Sequence, residues 1–241
     1  MTSLLESLRS APHERALSDE SVVRRLLGRL ESWLDSTGEP LTLRAPRELA
    51  HGPASALGRL RGVAVHQMVR LAAAGYDWDN PARDALSTWR AESEGELTVE
   101  LGRLDAEERA ALLAELDAHA VVLRRSLGPI APGWMPRAGQ RVRVVLGGGR
   151  LVLADVVDLM LGVVGEHASV ALIDVTSAPL GPGAEARLAY HALCQTLRTS
   201  HVPLASAVLS SATGEVIHRY VDEALLDEAL SQLRLRVEEP A

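Results

Sequence analysis

The chain contains no phenylalanine and no lysine: aromatic residues make up 3% of its 241 positions, and all 25 basic residues are arginine. Its core must therefore be built from Leu, Val and Ala, for which a hydrophobic content of 47% leaves ample material. Without lysine there is no G-K-[ST] phosphate loop, and arginine is the only fixed cation available to a phosphate. Arginine grips phosphate through its planar fork but is a poor proton donor or acceptor, so it can steady charge and hardly activate water. A single cysteine, Cys194, excludes an internal disulfide and fits a reducing cytosolic setting. One cysteine and eight scattered histidines also argue against zinc. No G-x-S-x-G elbow occurs, which disfavours a Ser-His-Asp hydrolase. No apolar run approaches about 18 residues and no apolar leader-like stretch opens the chain, so a cytoplasmic, non-membrane protein is expected. Positive charge is not in excess either. The formal charge is −7, so nucleic-acid binding would depend on a local arginine patch.

What is present is concentrated between Gln140 and Thr176. QRVRVVL, GGGR, LVLADVVDLMLG and ASVALIDVTS read as a β-hairpin turning on Gly147, Gly148 and Gly149, with a third strand beside it. Side chains two apart in a strand share a face. Asp174 therefore points with Leu172, Val170 and Thr176, and Asp158 with Val156 and Met160, whereas Asp155 falls on the opposite face unless a bulge intervenes. Asp158 and Asp174, on adjacent strand ends within apolar runs, each need a partner. Two outcomes remain open from the spacing: a divalent-metal site, or strand-end aspartates that cap loops or meet arginines.

The rest of the chain reads mainly as helices. Residues 1–40 form an N-terminal helical segment of two helices, the second with Val22, Val23, Leu26, Leu27, Leu30, Trp33 and Leu34 at helical spacing. Residues 41–241 form the main domain, the two parts making one compact unit. Leu41 to Pro53 looks irregular. A helix from about Ala54 to Ala74 offers Leu57, Leu60, Val63, Met68 and Leu71 to the core, with Gly58 and Gly62 allowing close backbone approach. Another helix begins at Asn80–Pro81, and a long one runs from Asp105 to about Leu127, packing through Leu112, Leu113, Leu116 and Val122. After the third strand come a helix over about 184–198 that contains Cys194, a strand at Leu204–Leu209, a short segment at Glu215–Tyr220 and a closing helix.

Taken in order, these pieces resemble the PD-(D/E)XK nuclease superfamily in its RecB-like branch. There a strand ending G-x-V-D-L precedes one reading D-x-K, matching GRLVLADVVDL and ALIDVTS. A preceding helix carries G-x-x-V/I-H, here Gly62, Val65 and His66, and a following helix carries Q-x-x-x-Y, here Arg187 and His191 before Ala192 and Leu193. The likeness spans about residues 41–236. It implies an α/β, restriction-endonuclease-like αβββαβ core with a mixed sheet and additional N-terminal helices. It also implies catalytic carboxylates Asp158 and Asp174, and Mg²⁺ or Mn²⁺ held by His66, Asp158 and Asp174. Nucleic-acid contacts would come from Arg187, His191, Arg44 and Arg47. Two departures stand out. Thr176 takes the position of the family lysine, and Arg187 and His191 replace Gln and Tyr.

The expected function is accordingly a nuclease-family protein with impaired catalysis, a nucleic-acid- or partner-binding module in DNA repair, recombination or defence, working on DNA or with a protein such as a helicase. The alternatives are an active Mg²⁺/Mn²⁺-dependent deoxyribonuclease and a protein-interaction scaffold with no nucleic-acid role.

Overall fold

The computed structural model describes residues 3–9, 19–36, 40–44, 55–76, 78–165 and 169–238. Its centre is a six-stranded mixed sheet: β1 (Leu41–Arg44), β2 (Arg137–Leu146), β3 (Leu151–Leu161), β4 (Ala171–Thr176), β5 (Ala205–Ser210) and β6 (Val216–Tyr220). As the triple glycine predicts, β2 and β3 form a hairpin. Gly147, Gly148 and Gly149 all lie at positive φ (56°, 65° and 98°), which a residue with a Cβ adopts only under strain. β4 runs parallel to β5, linked by α7 (Ala184–Thr199), and β6 closes the far edge antiparallel to β5. The chain order αβββαβ is observed, within an α/β fold.

The long β3 organises the sheet. β2 follows one of its edges from Arg137↔Met160 to Leu146↔Leu151. The other edge is shared: β1 pairs in parallel with Leu151–Ala154, and β4 pairs antiparallel with Leu159–Leu161. Between these partners, among the described residues, no strand pairs with residues 155–158 on this edge, and β4 runs on from Asp174 to Thr176 paired with β5. The sheet thus splits into a fork between β3 and β4. β1 is a correction to the sequence reading, which left Leu41 onward irregular; four residues suffice because β3 offers a free half-edge.

Helices cover both faces. α2 (Asp19–Ser36), α7 and α8 (Glu223–Glu238) pack on the face formed by Val142, Val144, Leu151, Leu153, Met160, Leu172 and Val208. α1 (Leu4–Arg9), α3 (Ala56–Ala73), α4 (Pro81–Glu92), α5 (Glu96–Arg103) and α6 (Ala106–Leu127) pack on the other, against Leu159, Leu161, Ile173, Val175, Ala207 and Leu209. The alternation of β4 explains the division, Leu172 facing one layer and Ile173 and Val175 the other. Cys194 is buried in the first layer as a packing residue.

Several details depart from expectation. Leu57 is 44% exposed rather than in the core, because it lies in the first turn of α3, outside the stripe of Leu60, Ala64 and Met68. Leu113 and Val122 are half-buried. The short α5 follows Gly95 at φ 145° and is missing from the sequence reading, because over eight residues Leu97, Val99 and Leu101 suit strand alternation as well as a helix. Asn80 makes no side-chain cap, whereas Asp105 forms a full capping box: its carboxylate accepts from Glu108 N at 2.8 Å, and Glu108 Oε2 accepts from Asp105 N at 3.0 Å. Asp105→Ala is expected to cost about 1 kcal/mol. Urea-unfolding midpoints would register this, and an unchanged midpoint would show the cap to be dispensable.

Candidate functional site

The fork collects the charge that the sequence places in apolar strands. Asp155, Asp158 and Asp174 are 5%, 8% and 4% exposed. Asp174 reaches the α7 face, as the alternation of Leu172 and Asp174 requires. Asp155 also reaches α7, although it lies three residues before Asp158. Leu153 and Val157 share its layer, and Met160 then returns to that layer while Leu159 and Leu161 face the other. The alternation breaks at Val157–Asp158. Opposite stands Gly139, at φ 60°, and Gly139–Asp158 is skipped between Gln140↔Val157 and Ala138↔Leu159 in the β2–β3 ladder. This local break, which the sequence analysis named as the exception, brings a third carboxylate to the fork.

One face of α7 supplies the countercharge. Arg187, His191 and Gln195 recur at intervals of four residues, so they line a single stripe. The Arg187 guanidinium sits directly on Asp174 Oδ2, its side chain 17% exposed. His191, 2% exposed, places Nδ1 2.7 Å from Asp155 Oδ2 and Nε2 3.9 Å from Asp174 Oδ2. The second Asp155 oxygen accepts from Val156 N at 2.8 Å. Arg187 and His191, expected to meet nucleic acid, are instead turned inward as partners of the carboxylates. Of the remaining expected contacts, Arg44 ends β1 and Arg47 lies outside the described residues.

From the opposite layer α3 presents His66, whose side chain is half-exposed. Its Nε2 is 3.0 Å from Val175 O and 3.6 Å from Asp158 Oδ2; the carbonyl requires a proton on Nε2. Desolvation lowers the His66 pKa and the charge of Arg187 lowers it further, while the Val175 carbonyl works the other way, so the ring is neutral at pH 7. Asp158 Oδ2 accepts from Val175 N at 2.8 Å, replacing with a side chain the ladder bond that the fork has opened. Burial pushes the Asp158 pKa up to about 6; the Val175 N–H and the charges of His191 and Arg187 oppose the rise, and Asp155 adds to it.

Thr176 closes β4. Its Oγ1 accepts from Ala178 N at 3.2 Å, and its carbonyl is fixed by Ser211 through N (2.8 Å) and Oγ (3.0 Å). Ser211 Oγ is held in turn by His119 Nδ1 at 3.0 Å. Gly62 faces the next residue: a Cβ there would lie 3.6 Å from Ser177 Oγ, an ordinary contact, so the backbones approach less closely than the glycine suggests.

The donor set, as arranged, fits an arginine better than a divalent ion. Among the described residues no group of three or more His, Cys, Asp or Glu is disposed to hold a metal. Each carboxylate already has a protein partner: Arg187 for Asp174, His191 for Asp155 and the Val175 N–H for Asp158. A cation at Asp174 would have to displace Arg187. Of the two outcomes open from the spacing, Asp174 shows the aspartate meeting an arginine. The Asp155–His191 pair escaped the sequence reading. Its signal was the polar stripe Arg187, His191, Gln195 in a helix whose other inward positions, Thr196 and the Tyr190 hydroxyl aside, are apolar.

No protein-family model matches the chain, and no curated protein matches it. A solved structure described as the crystal structure of SSO0001 aligns over 93% of this chain and 89% of its own, at 10% identity and a TM-score of 0.30. At that level the likeness assigns no residue a role. Among the described residues no helix is long and apolar enough to cross a membrane.

Proposed function

We propose that the chain is a PD-(D/E)XK, RecB-like nuclease relative whose centre has become a charge cluster in which each carboxylate is held by a protein partner. It acts in the cytoplasm as a catalytically impaired binding module for nucleic acid, or for a protein partner such as a helicase, in DNA repair, recombination or defence. The observation that carries this reading is Arg187 on Asp174. A guanidinium tethered in the fork supplies the positive charge that Mg²⁺ or Mn²⁺ would supply in the resembled nucleases, but it brings no bound water and withdraws no proton from one. Thr176, engaged in a local turn, adds no base. If an ion did enter, Asp158 and Asp174 would be its carboxylate ligands, with His66 at the solvent side.

The test is cleavage of end-labelled single- and double-stranded DNA with Mg²⁺ or Mn²⁺. The native chain is expected to leave both intact while retaining DNA weakly at low salt. The variant Arg187→Ala/Thr176→Lys, freed of the internal cation and given the family lysine, is expected to gain metal-dependent nicking that Asp174→Ala abolishes. Metal-dependent cleavage by the native chain, lost in Asp174→Ala, would overturn the impaired reading in favour of a working deoxyribonuclease. Neither cleavage nor retention would leave the protein-scaffold reading.

A further inference from the structure

A second concave site lies in the helical layer, lined by no residue of the fork. Between α4 on one side and α5 and α6 on the other runs a groove of about 600 Å³, large enough to seat several side chains of a ligand. Its floor is aliphatic: Leu86 and Leu101 are 7% and 6% exposed, half-buried Leu113 completes it, and exposed Ala91 lies at its edge. Its rim is cationic. Arg83, Ser87 and Arg90 fall at intervals of four and three on α4 and so share the face that carries Leu86, while Arg109 stands across on α6. All three arginines are exposed, and among the described residues no carboxylate lines the groove. Arg109 Nη2 is steered over the groove by the Leu101 carbonyl, 3.3 Å away. In a chain of net charge −7, three arginines around an apolar trough concentrate the scarcer sign of charge on one recognition surface.

We infer that this groove docks an acidic amphipathic helix of a partner protein. Charge complementarity sets the sign: carboxylates flanking an apolar stripe would meet Arg83 and Arg90 on one wall and Arg109 on the other. The lining favours peptide over nucleic acid, because none of its side chains is aromatic and unpaired bases draw their affinity from aromatic stacking. The length agrees as well. Arg83 to Ala91 extends about 12 Å along α4, the span of roughly two turns of a bound helix with two or three aliphatic anchors.

The direct test is fluorescence anisotropy with a labelled helix-forming peptide that carries Leu at positions i, i+4 and i+7 and Glu on the flanks. Controls are the same peptide with Lys for Glu, and labelled oligo-dT. The acidic peptide is expected to bind, more weakly as salt rises, and to lose roughly tenfold or more in affinity to Arg83→Glu/Arg90→Glu and to Leu113→Asp. Arg141→Glu, on the distant strand β2, is expected to leave binding unchanged, and thermal melts confirm that each variant is folded. The inference is overturned if the acidic peptide binds no better than its Lys counterpart, if the groove variants bind it undiminished, or if oligo-dT is the probe whose binding those variants abolish. Because the readout is peptide binding, a failed cleavage test at the fork does not bear on it.

Discussion

Arg187→Ala is expected to destabilise the protein by about 3–5 kcal/mol, the cost of leaving a buried carboxylate without its counter-ion. Asp174 is 4% exposed and shares His191 with Asp155, so the stranded charge has little water and another carboxylate across one imidazole ring. Asp174→Ala should cost less. The Arg187 side chain keeps 17% of its exposure, and the guanidinium can turn toward the two remaining carboxylates. Combining Asp174→Ala with Arg187→Ala should recover much of the loss from the arginine variant, giving a coupling of a few kcal/mol in a double-mutant cycle. Urea denaturation at neutral pH measures all four corners. A loss below about 1 kcal/mol for Arg187→Ala, the range of an exposed ion pair, would show that Arg187 does not hold the fork together.

Asp158→Asn is expected to do the opposite, and only above a certain pH. The folded-state pKa of Asp158 is raised to about 6 from 3.8. Between those values the folded protein retains a proton that the unfolded chain has lost, so stability falls as pH rises through the window and the full penalty stands above it. Its size is about 3 kcal/mol. Asn removes the titration while its amide oxygen still accepts from Val175 N, so the variant should match the native protein near pH 4 and exceed it above pH 6. At this chain length the gain corresponds to roughly 2–4 °C in Tm for each kcal/mol. Thermal melts from pH 4 to 8 check it, and a stability difference between the two proteins that stays constant across that range would remove the charged Asp158 as the cause.

The layers were legible because each rests on a period. Alternation in Ala171–Thr176 separates Leu172 and Asp174 from Ile173 and Val175, and helical spacing in Asp19–Ser36 marks its buried stripe. The triple glycine located the hairpin turn. β1 was not legible, because four residues carry no pattern and the strand exists only where β3 has an open half-edge. Of the residues gathered at the fork, Asp158 and Asp174 stood out as acidic residues in apolar strands and His66 through the family resemblance. The arrival of Asp155 was not legible, since it depends on a break in alternation set by Gly139 on the neighbouring strand. The roles of Arg187 and His191 were misread for a related reason: a basic residue on a helix after the second carboxylate suits an outward phosphate contact or an inward ion pair equally well. Only the depth of α7 against the fork decides between them.

Whether Arg187 takes the place of a metal is tested most directly by a Mn²⁺ titration followed by thermal denaturation on the native chain and on Arg187→Ala. A cation that binds only the folded state raises Tm, by more the further its concentration exceeds its Kd. Millimolar Mn²⁺ should leave the native Tm unchanged and raise that of Arg187→Ala, with the rise abolished when Asp174→Ala is added. A Mn²⁺-dependent rise in the native protein that disappears in Asp174→Ala would contradict the account, because it would place a metal and Arg187 in the fork together.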